Sequence, residues 1–158
     1  MKTRDITIVG LLIAISFILA NIKIMGSIAL DSAPAMLAVF LYKDYKGAII
    51  AMFGHILSAA LAGFPLTLPV HIVIMLSMGL MMAFSSLIYK KTNSIIITVI
   101  FMFIFNTFIS PAAMFIVVPF DPAVYTVLLI PLGQATIANI AIALLVLKPI
   151  KKAMIINV

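Results

Sequence analysis

The chain has 158 residues, of which 66% are hydrophobic and only 9% are charged, whereas a soluble domain carries about 25% charged residues. Long stretches contain no Lys, Arg, Asp or Glu, namely 6–22, 32–42, 47–89, 92–120 and 122–147. This composition excludes an ordinary soluble domain and predicts an integral membrane protein in a lipid bilayer, because a charge at the bilayer centre costs roughly 2.5–3.5 kcal/mol. The net charge of +6 comes from cations that flank these stretches. It therefore favours anchoring at an anionic leaflet over binding to nucleic acid.

The uncharged stretches predict an all-α bundle of six transmembrane helices, with residues 1–158 forming a single membrane domain. A spanning helix needs about 20 apolar residues. The 47–89 stretch is too long for one helix, and two prolines and a glycine in the segment 63–69 divide it. The predicted helices span about 5–23, 32–42, 45–62, 70–89, 94–117 and 123–147.

The second predicted helix is unusually short. Residues 32–42 rise only about 16 Å as a helix, roughly half of the hydrocarbon core. The preceding segment contains Gly26 and Ser27, and Asp31 or Ser32 followed by Pro34 is typical of a helix start. Non-helical backbone survives at membrane depth only where protein buries it or a water-filled cavity receives it. We therefore expect an outward-facing ligand pocket next to helix 2.

The basic residues indicate the orientation of the chain in the membrane. If the N-terminus is cytoplasmic and there are six spans, the outer loops hold only Lys23. The cytoplasmic side holds the other nine, which are Lys2, Arg4, Lys43, Lys46, Lys90, Lys91, Lys148, Lys151 and Lys152. Such an excess on one side is the positive-inside pattern, and it predicts that both termini are cytoplasmic.

Three polar residues are the main candidates for chemistry. Asp31 can cap helix 2 or accept hydrogen bonds from a ligand, and one carboxylate can do both. His55 and His71 can be structural histidines of the bundle or ligand contacts. We place His55 about 12 Å below the outer end of helix 3 and His71 near the rim, so a shared metal is not expected. The sequence predicts no metal, cofactor or catalytic residue.

Further polar residues fall in the outer half or near the middle of the predicted bundle, where four prolines also interrupt helices 5 and 6. Polar groups that converge with irregular backbone predict a pocket for a small solute. Phe64 and Tyr125 are candidate faces for stacking on a ring, although aromatic residues in bilayers more often serve as packing or interface anchors. The candidate substrate-binding residues are Asp31, Ser32, His55, Phe64, Thr67, His71, Asn106, Tyr125 and Gln134.

Helix 1 carries two pairs of small residues, Gly10-x-x-x-Ala14 and Ser16-x-x-x-Ala20. This spacing lets helices approach closely, and an internal packing face is the default interpretation. The sequence contains no G-x-x-x-x-G-K-[ST], G-x-S-x-G or H-E-x-x-H motif. We therefore predict that the chain is not an enzyme and that any ATP hydrolysis occurs on partner subunits.

Segments 27–34, 54–59 and 62–71, within a six-helix chain with basic cytoplasmic ends, resemble the S components of energy-coupling factor (ECF) transporters. They are most similar to the branch with folate, pantothenate and α-ribazole S components, and closest to the α-ribazole members. The resemblance implies a subunit of the bacterial plasma membrane that binds a vitamin or its precursor. It also implies a partner module of one membrane coupling subunit and two cytoplasmic ATPases. The coupling-subunit contact maps best to Gly10 and Ala14, although Gly10 departs from the usual alanine.

Two alternatives belong to other functional classes. A small membrane enzyme or haem-binding subunit could use His55 and His71, and a bound haem spectrum would favour it. An assembly or structural membrane subunit would carry no small ligand. Mass spectrometry of small molecules that purify with the chain distinguishes these classes.

The charge asymmetry gives a test of orientation. Because the chain has no cysteine, the Thr92→Cys variant carries a single thiol in the predicted cytoplasmic loop 90–93. We expect an impermeant maleimide to label it only after cells are permeabilised, whereas the Phe120→Cys control is labelled in intact cells. Labelling of the position-92 thiol from outside intact cells would contradict the six-span arrangement.

Overall fold

The computed structural model describes residues 3–21, 23–24 and 28–156 of the chain. The described residues form six helices joined in one bundle, which confirms the predicted all-α architecture with a short second helix. A two-residue antiparallel hairpin, β1 (Lys23–Ile24) with β2 (Ile28–Ala29), lies between the first two helices. The helices are α1 (Thr3–Ala20), α2 (Ala33–Tyr42), α3 (Lys46–Leu61), α4 (Leu68–Thr92), α5 (Ile95–Ile116) and α6 (Pro122–Ile156).

Four of these helices, α1, α4, α5 and α6, are long and apolar enough to cross a membrane, while α2 and α3 are shorter apolar helices. Large apolar side chains cover the outside of the bundle, as with Ile96, Ile130 and Leu145, which are all more than two-thirds exposed. Such a surface is stable against lipid but not against water. The exposed apolar surface therefore agrees with the membrane assignment made from composition.

Helix α2 lies at the centre of the bundle. Every side chain from Ala33 to Phe40 is buried, and a helix that is apolar on all sides must be surrounded by protein or lipid. Phe40 packs edge-to-face on Tyr89 of α4, with 5.1 Å between ring centroids. The short α2 thus serves as the core on which the longer helices pack.

The start of α4 and the end of α6 differ from the sequence prediction. Helix α4 begins at Leu68 rather than at residue 70, since Pro69 occupies a first-turn position where a missing N–H costs nothing. Helix α6 continues to Ile156 rather than ending near residue 147. Its 35 residues rise about 52 Å, more than a bilayer needs. The prediction ended the helix before Lys148 because a charged residue marks the end of a membrane span. A charged residue does not end the helix itself, which continues beyond the span.

The non-helical chain before α2 is held by a hydrogen bond from α6. The Asn139 side-chain N–H group donates to the backbone oxygen of Ala29 at 2.9 Å, and also to Ala135 one turn earlier at 2.8 Å. The irregular segment is therefore packed against the bundle, as the short second helix predicted. Gly26 and Ser27, on which part of that prediction rested, lie outside the described residues.

Helix α5 contains a widened turn over Phe105–Ile109, where the Ser110 N–H bonds to the Phe105 oxygen five residues earlier. The cause is Pro111, which has no N–H for the Thr107 oxygen and whose ring would clash with that oxygen in a regular helix. Single π turns often occur at functional sites. This one places Asn106 in the middle of the bundle.

The N-terminal ends of α1 and α3 are joined by Lys46. Its ammonium group lies 3.5 Å from the Asp5 carboxylate and contacts the Asp44 carboxylate as well. The side chain is mostly buried and also lies over the rings of Tyr42 and Tyr45. Two carboxylates and two aromatic faces compensate the burial of this charge.

Toward their C-terminal ends, α1 and α3 meet through small residues. A Cβ atom placed on Gly54 would lie 2.9 Å from the Ser16 Cβ, so the two helices pack at the closest distance that a glycine allows. By contrast, a Cβ atom on Gly10 would meet nothing within 4 Å. Gly54 therefore has no room for a side chain, whereas Gly10 on the neighbouring helix has room for one.

We expect Gly54→Ala to lower the free energy of unfolding by about 1–3 kcal/mol, because the added methyl group overpacks the contact with Ser16. Gly10→Ala is the matched control, and it should leave stability unchanged or slightly raised since Ala favours helix. Thermal unfolding in detergent measures both. Equal melting temperatures for the two variants would show that the α1–α3 contact is not tight.

Candidate functional site

A cavity of about 210 Å³ lies in the bundle next to the N-terminus of α2. Apolar side chains of α4, α5 and α6 form one side of it, among them Ile74, Met114 and Leu132. The polar residues that line it are Asp31, Ser32, His55, Asn106, Ser110 and Asn139. A largely apolar cavity with a few convergent polar groups is the usual form of a small-molecule site.

A second cavity, of about 390 Å³, lies beside the first. It is formed by the C-terminal ends of α1 and α3, by strand β2 and by the start of α4. Its polar lining residues are Asn21, Asp31, His55, Ser58 and His71. Ala29, Asp31 and His55 line both cavities, so the two spaces adjoin along these three residues.

Asp31 and Ser32 precede α2 and face this junction. Ser32 holds the N-cap position, but its hydroxyl donates to the Asp31 carboxylate at 3.2 Å and caps no helix N–H. The backbone oxygen of Ser32 accepts the first helical bond from the Met36 N–H. The Ser32 hydroxyl thus orients the Asp31 carboxylate, and it does not play the capping role that the sequence offered for it.

His55 and His71 are in direct contact, and the expected separation of these residues along the membrane normal is wrong. His71 Nδ1 lies 3.3 Å from His55 Nε2, and the ring centroids are 5.4 Å apart. The earlier start of α4, at Leu68 instead of residue 70, shifts His71 by only about 3 Å along the helix and explains part of the difference. The packing of α4 against α3 brings the two rings together. One imidazole donates to the other, so the tautomers of the two rings are coupled.

His71 has a buried nitrogen without a hydrogen-bond partner among the described residues. His71 is only 7% exposed, and its Nε2 has no hydrogen-bond partner among the described residues. Phe64, in the left-handed region with φ 51° after Gly63, packs on the His71 ring at 5.7 Å between centroids. In the described part of the chain, no group of three or more His, Cys, Asp or Glu side chains could hold a metal ion.

Asn106 lines the first cavity from the π turn of α5. Its side-chain N–H group donates to the Thr136 hydroxyl at 2.8 Å, and that hydroxyl donates to the Leu132 oxygen. This chain of hydrogen bonds joins α5 to α6 beside the cavity. The amide oxygen of Asn106 takes no part in these two hydrogen bonds.

The structure does not bring four of the nine candidates to the cavity linings. Phe64 contacts the ring of His71 but lines neither cavity. Thr67 is exposed at the N-cap of α4. Tyr125 donates from its hydroxyl to the Phe108 oxygen at 3.1 Å. Gln134 is exposed on the surface of α6.

The position of Gln134 follows from helical phase. The residues of α6 that line the first cavity are Leu128, Leu132, Ala135 and Asn139, at spacings of four, three and four. This is one face of an α-helix, and Gln134 points about 100° away from Ala135. Polarity alone selects Gln134 as a candidate, whereas the phase of α6 places this residue outside the face that lines the cavity.

Asn139 is one of four polar lining residues that are absent from the candidate set, the others being Asn21, Ser58 and Ser110. Its two amide hydrogen bonds to backbone oxygens fix the orientation of the amide, since a flipped amide would place oxygen against oxygen. Its Oδ1 then has no hydrogen-bond partner among the described residues. The signal was the spacing from Leu132 and Ala135, together with the polar character of a residue buried in an apolar helix.

The two small-residue pairs of α1 lie on different faces. Ser16 and Ala20 are buried against the bundle, as the default interpretation expects. Gly10 and Ala14 are exposed on the outside of α1. Ser16 and Ala20 therefore form an internal packing face, whereas Gly10 and Ala14 do not.

Comparison with known proteins gives one family. A protein-family model described as ECF transporter, substrate-specific component, matches residues 4–151. No curated protein and no solved structure gives a match. Because the matched region covers all six helices to near the end of α6, the chain belongs to the family of ECF transporter substrate-specific components.

Proposed function

We propose that this substrate-specific subunit binds a vitamin or vitamin precursor, with α-ribazole, a cobalamin precursor, as the first candidate and pantothenate or another small vitamin as the second. The observation that carries the proposal is the pair of adjoining cavities with Asp31 at their junction. Family membership supports the transport role. The chemistry of the lining supports the order of the candidates.

The lining favours an uncharged ligand with an apolar ring. The apolar side chains of the first cavity can cover a ring, while Asp31, the imidazoles and the amides can bind hydroxyl groups. Among the described residues, no Lys or Arg side chain lines either cavity, so an anionic group there finds no positively charged partner. This disfavours a phosphate ester strongly, and it places the carboxylate-bearing pantothenate below α-ribazole.

The proposed partners are a membrane coupling subunit and two cytoplasmic ATPase subunits, in a bacterial plasma membrane with both termini of this chain inside the cell. The sequence has no Walker A motif, so energy must come from other subunits. Gly10 and Ala14 lie exposed on α1, where another helix can approach closely. This face is the proposed contact with the coupling subunit.

The alternative of a haem-binding subunit gains no support from the histidine pair. The facing nitrogens of His55 and His71 are within hydrogen-bond distance, so no haem plane fits between them. The family to which the chain belongs consists of transport subunits. A substrate-binding role is therefore the better assignment for the pair.

We expect Ala14→Leu to abolish uptake of α-ribazole in cells that express the complete transporter, because a large side chain prevents close approach of the coupling subunit. Substrate binding to the purified chain should stay within twofold of the wild type. Ala141→Leu, an equal enlargement on the exposed surface of α6, is the matched control and should retain uptake. Parallel loss of binding and uptake in Ala14→Leu would contradict the proposed contact.

We also expect Asp31→Ala and His71→Ala each to weaken α-ribazole binding by roughly 5- to 150-fold, since losing one partner of a buried ligand hydrogen bond costs about 1–3 kcal/mol. Calorimetric titration of the detergent-purified chain measures the affinity. Asp121→Ala is the control, because Asp121 is exposed and lines neither cavity. Unchanged affinity in both test variants would limit these residues to structural roles.

A further inference from the structure

We propose that the second cavity is a distinct half of the substrate site, which takes a neutral, hydroxyl-bearing group while the first cavity takes a flat apolar ring. The substrate class is thus a two-part molecule that crosses the junction at Asp31. This inference deepens the proposed function and rests on it. Four observations of the cavities and of His71 support it.

The first observation is the contact between the two spaces. Three residues, Ala29, Asp31 and His55, line both cavities. A molecule that fills only the first cavity leaves the larger volume of about 390 Å³ unused. A molecule that occupies both passes the Asp31 carboxylate at its middle.

The second observation is the difference in lining. Apolar side chains such as Ile74 and Met78 dominate the first cavity. The second cavity is lined by small alanines, which leave space, and by polar side chains that include Asn21, Ser58 and His71. A ring is better buried in the first cavity, and a group with several hydroxyls finds its partners in the second.

The third observation is the free nitrogen of His71. The contact of its Nδ1 with His55 fixes the ring, and its buried Nε2 has no partner among the described residues. Because the tautomers of the two rings are coupled, Nε2 is a donor in one state and an acceptor in the other. A hydroxyl can donate or accept and so fits both states, whereas an ammonium group fits only one.

The fourth observation concerns charge. In the described part of the chain, neither cavity is lined by a Lys or Arg side chain, so an anionic group in either one meets no positive charge and lies beside the Asp31 carboxyl group. An uncharged polyhydroxylated group carries no such penalty, and its hydroxyls can donate to the carboxylate. A sugar-like group attached to an aromatic ring has the required chemistry.

The test fills the second cavity after the protein has folded. Ala62 lines this cavity, while Ala60 lies two residues earlier on α3, is exposed and lines neither cavity. The chain has no native cysteine, so purified Ala62→Cys and Ala60→Cys variants can each be modified at one thiol with benzyl methanethiosulfonate. Calorimetry before and after modification uses two probes, α-ribazole and its ring alone, 5,6-dimethylbenzimidazole.

We expect modification of the Ala62→Cys variant to weaken α-ribazole binding at least tenfold and to leave the affinity for the ring within twofold. Modification of the Ala60→Cys variant should change neither. An unchanged affinity for α-ribazole, or an equal loss for both probes, overturns the two-part site and leaves the proposed function standing. If the unmodified wild type binds neither probe, the proposed α-ribazole substrate fails and the inference fails with it.

Discussion

The hydrogen bond from Asn139 to the Ala29 oxygen is the interaction on which the site depends. A bilayer offers no water to irregular backbone, so the chain before α2 can lie in the bundle only if protein groups satisfy it. This hydrogen bond fixes β2 against α6, and β2 leads directly to Asp31 and Ser32. The short α2 follows from the same constraint, because the residues that a full-length helix would use form the irregular segment. The cavities occupy the space that this arrangement leaves.

The sequence predicted the helices well because membrane insertion depends on charge and length, which a single sequence displays. The short α2, the division of 47–89 and the pocket beside Asp31 followed from that reasoning. The contact between His55 and His71 did not, because it depends on how α4 packs against α3. The two-residue error in the start of α4 accounts for only about 3 Å of displacement, and a single sequence does not specify the relative position of two neighbouring helices.

The lining of the site was harder to predict than its location. Polarity selected Asp31, Ser32, His55, His71 and Asn106, which the structure places around the two cavities. Polarity alone also selected Gln134, which faces outward, and passed over Asn139, which faces inward. Composition does not distinguish these two amides, whereas the phase of α6 does. Pro111 causes the π turn that brings Asn106 inward. The presence of a proline does not by itself determine which side of the helix widens.

Helix α1 carries the same small-residue spacing on a buried face and on an exposed face. Ser16 and Ala20 bring it against α3, where Gly54 leaves no room for a larger side chain. Gly10 and Ala14 are equally small but lie on the exposed side of α1, away from the described part of the bundle. Lys46, through Asp5, holds the N-terminal end of the same helix to α3. A coupling subunit that contacts Gly10 and Ala14, as proposed, would approach α1 on a face that its contact with α3 does not use. Binding there leaves the internal contacts of α1 with the bundle in place.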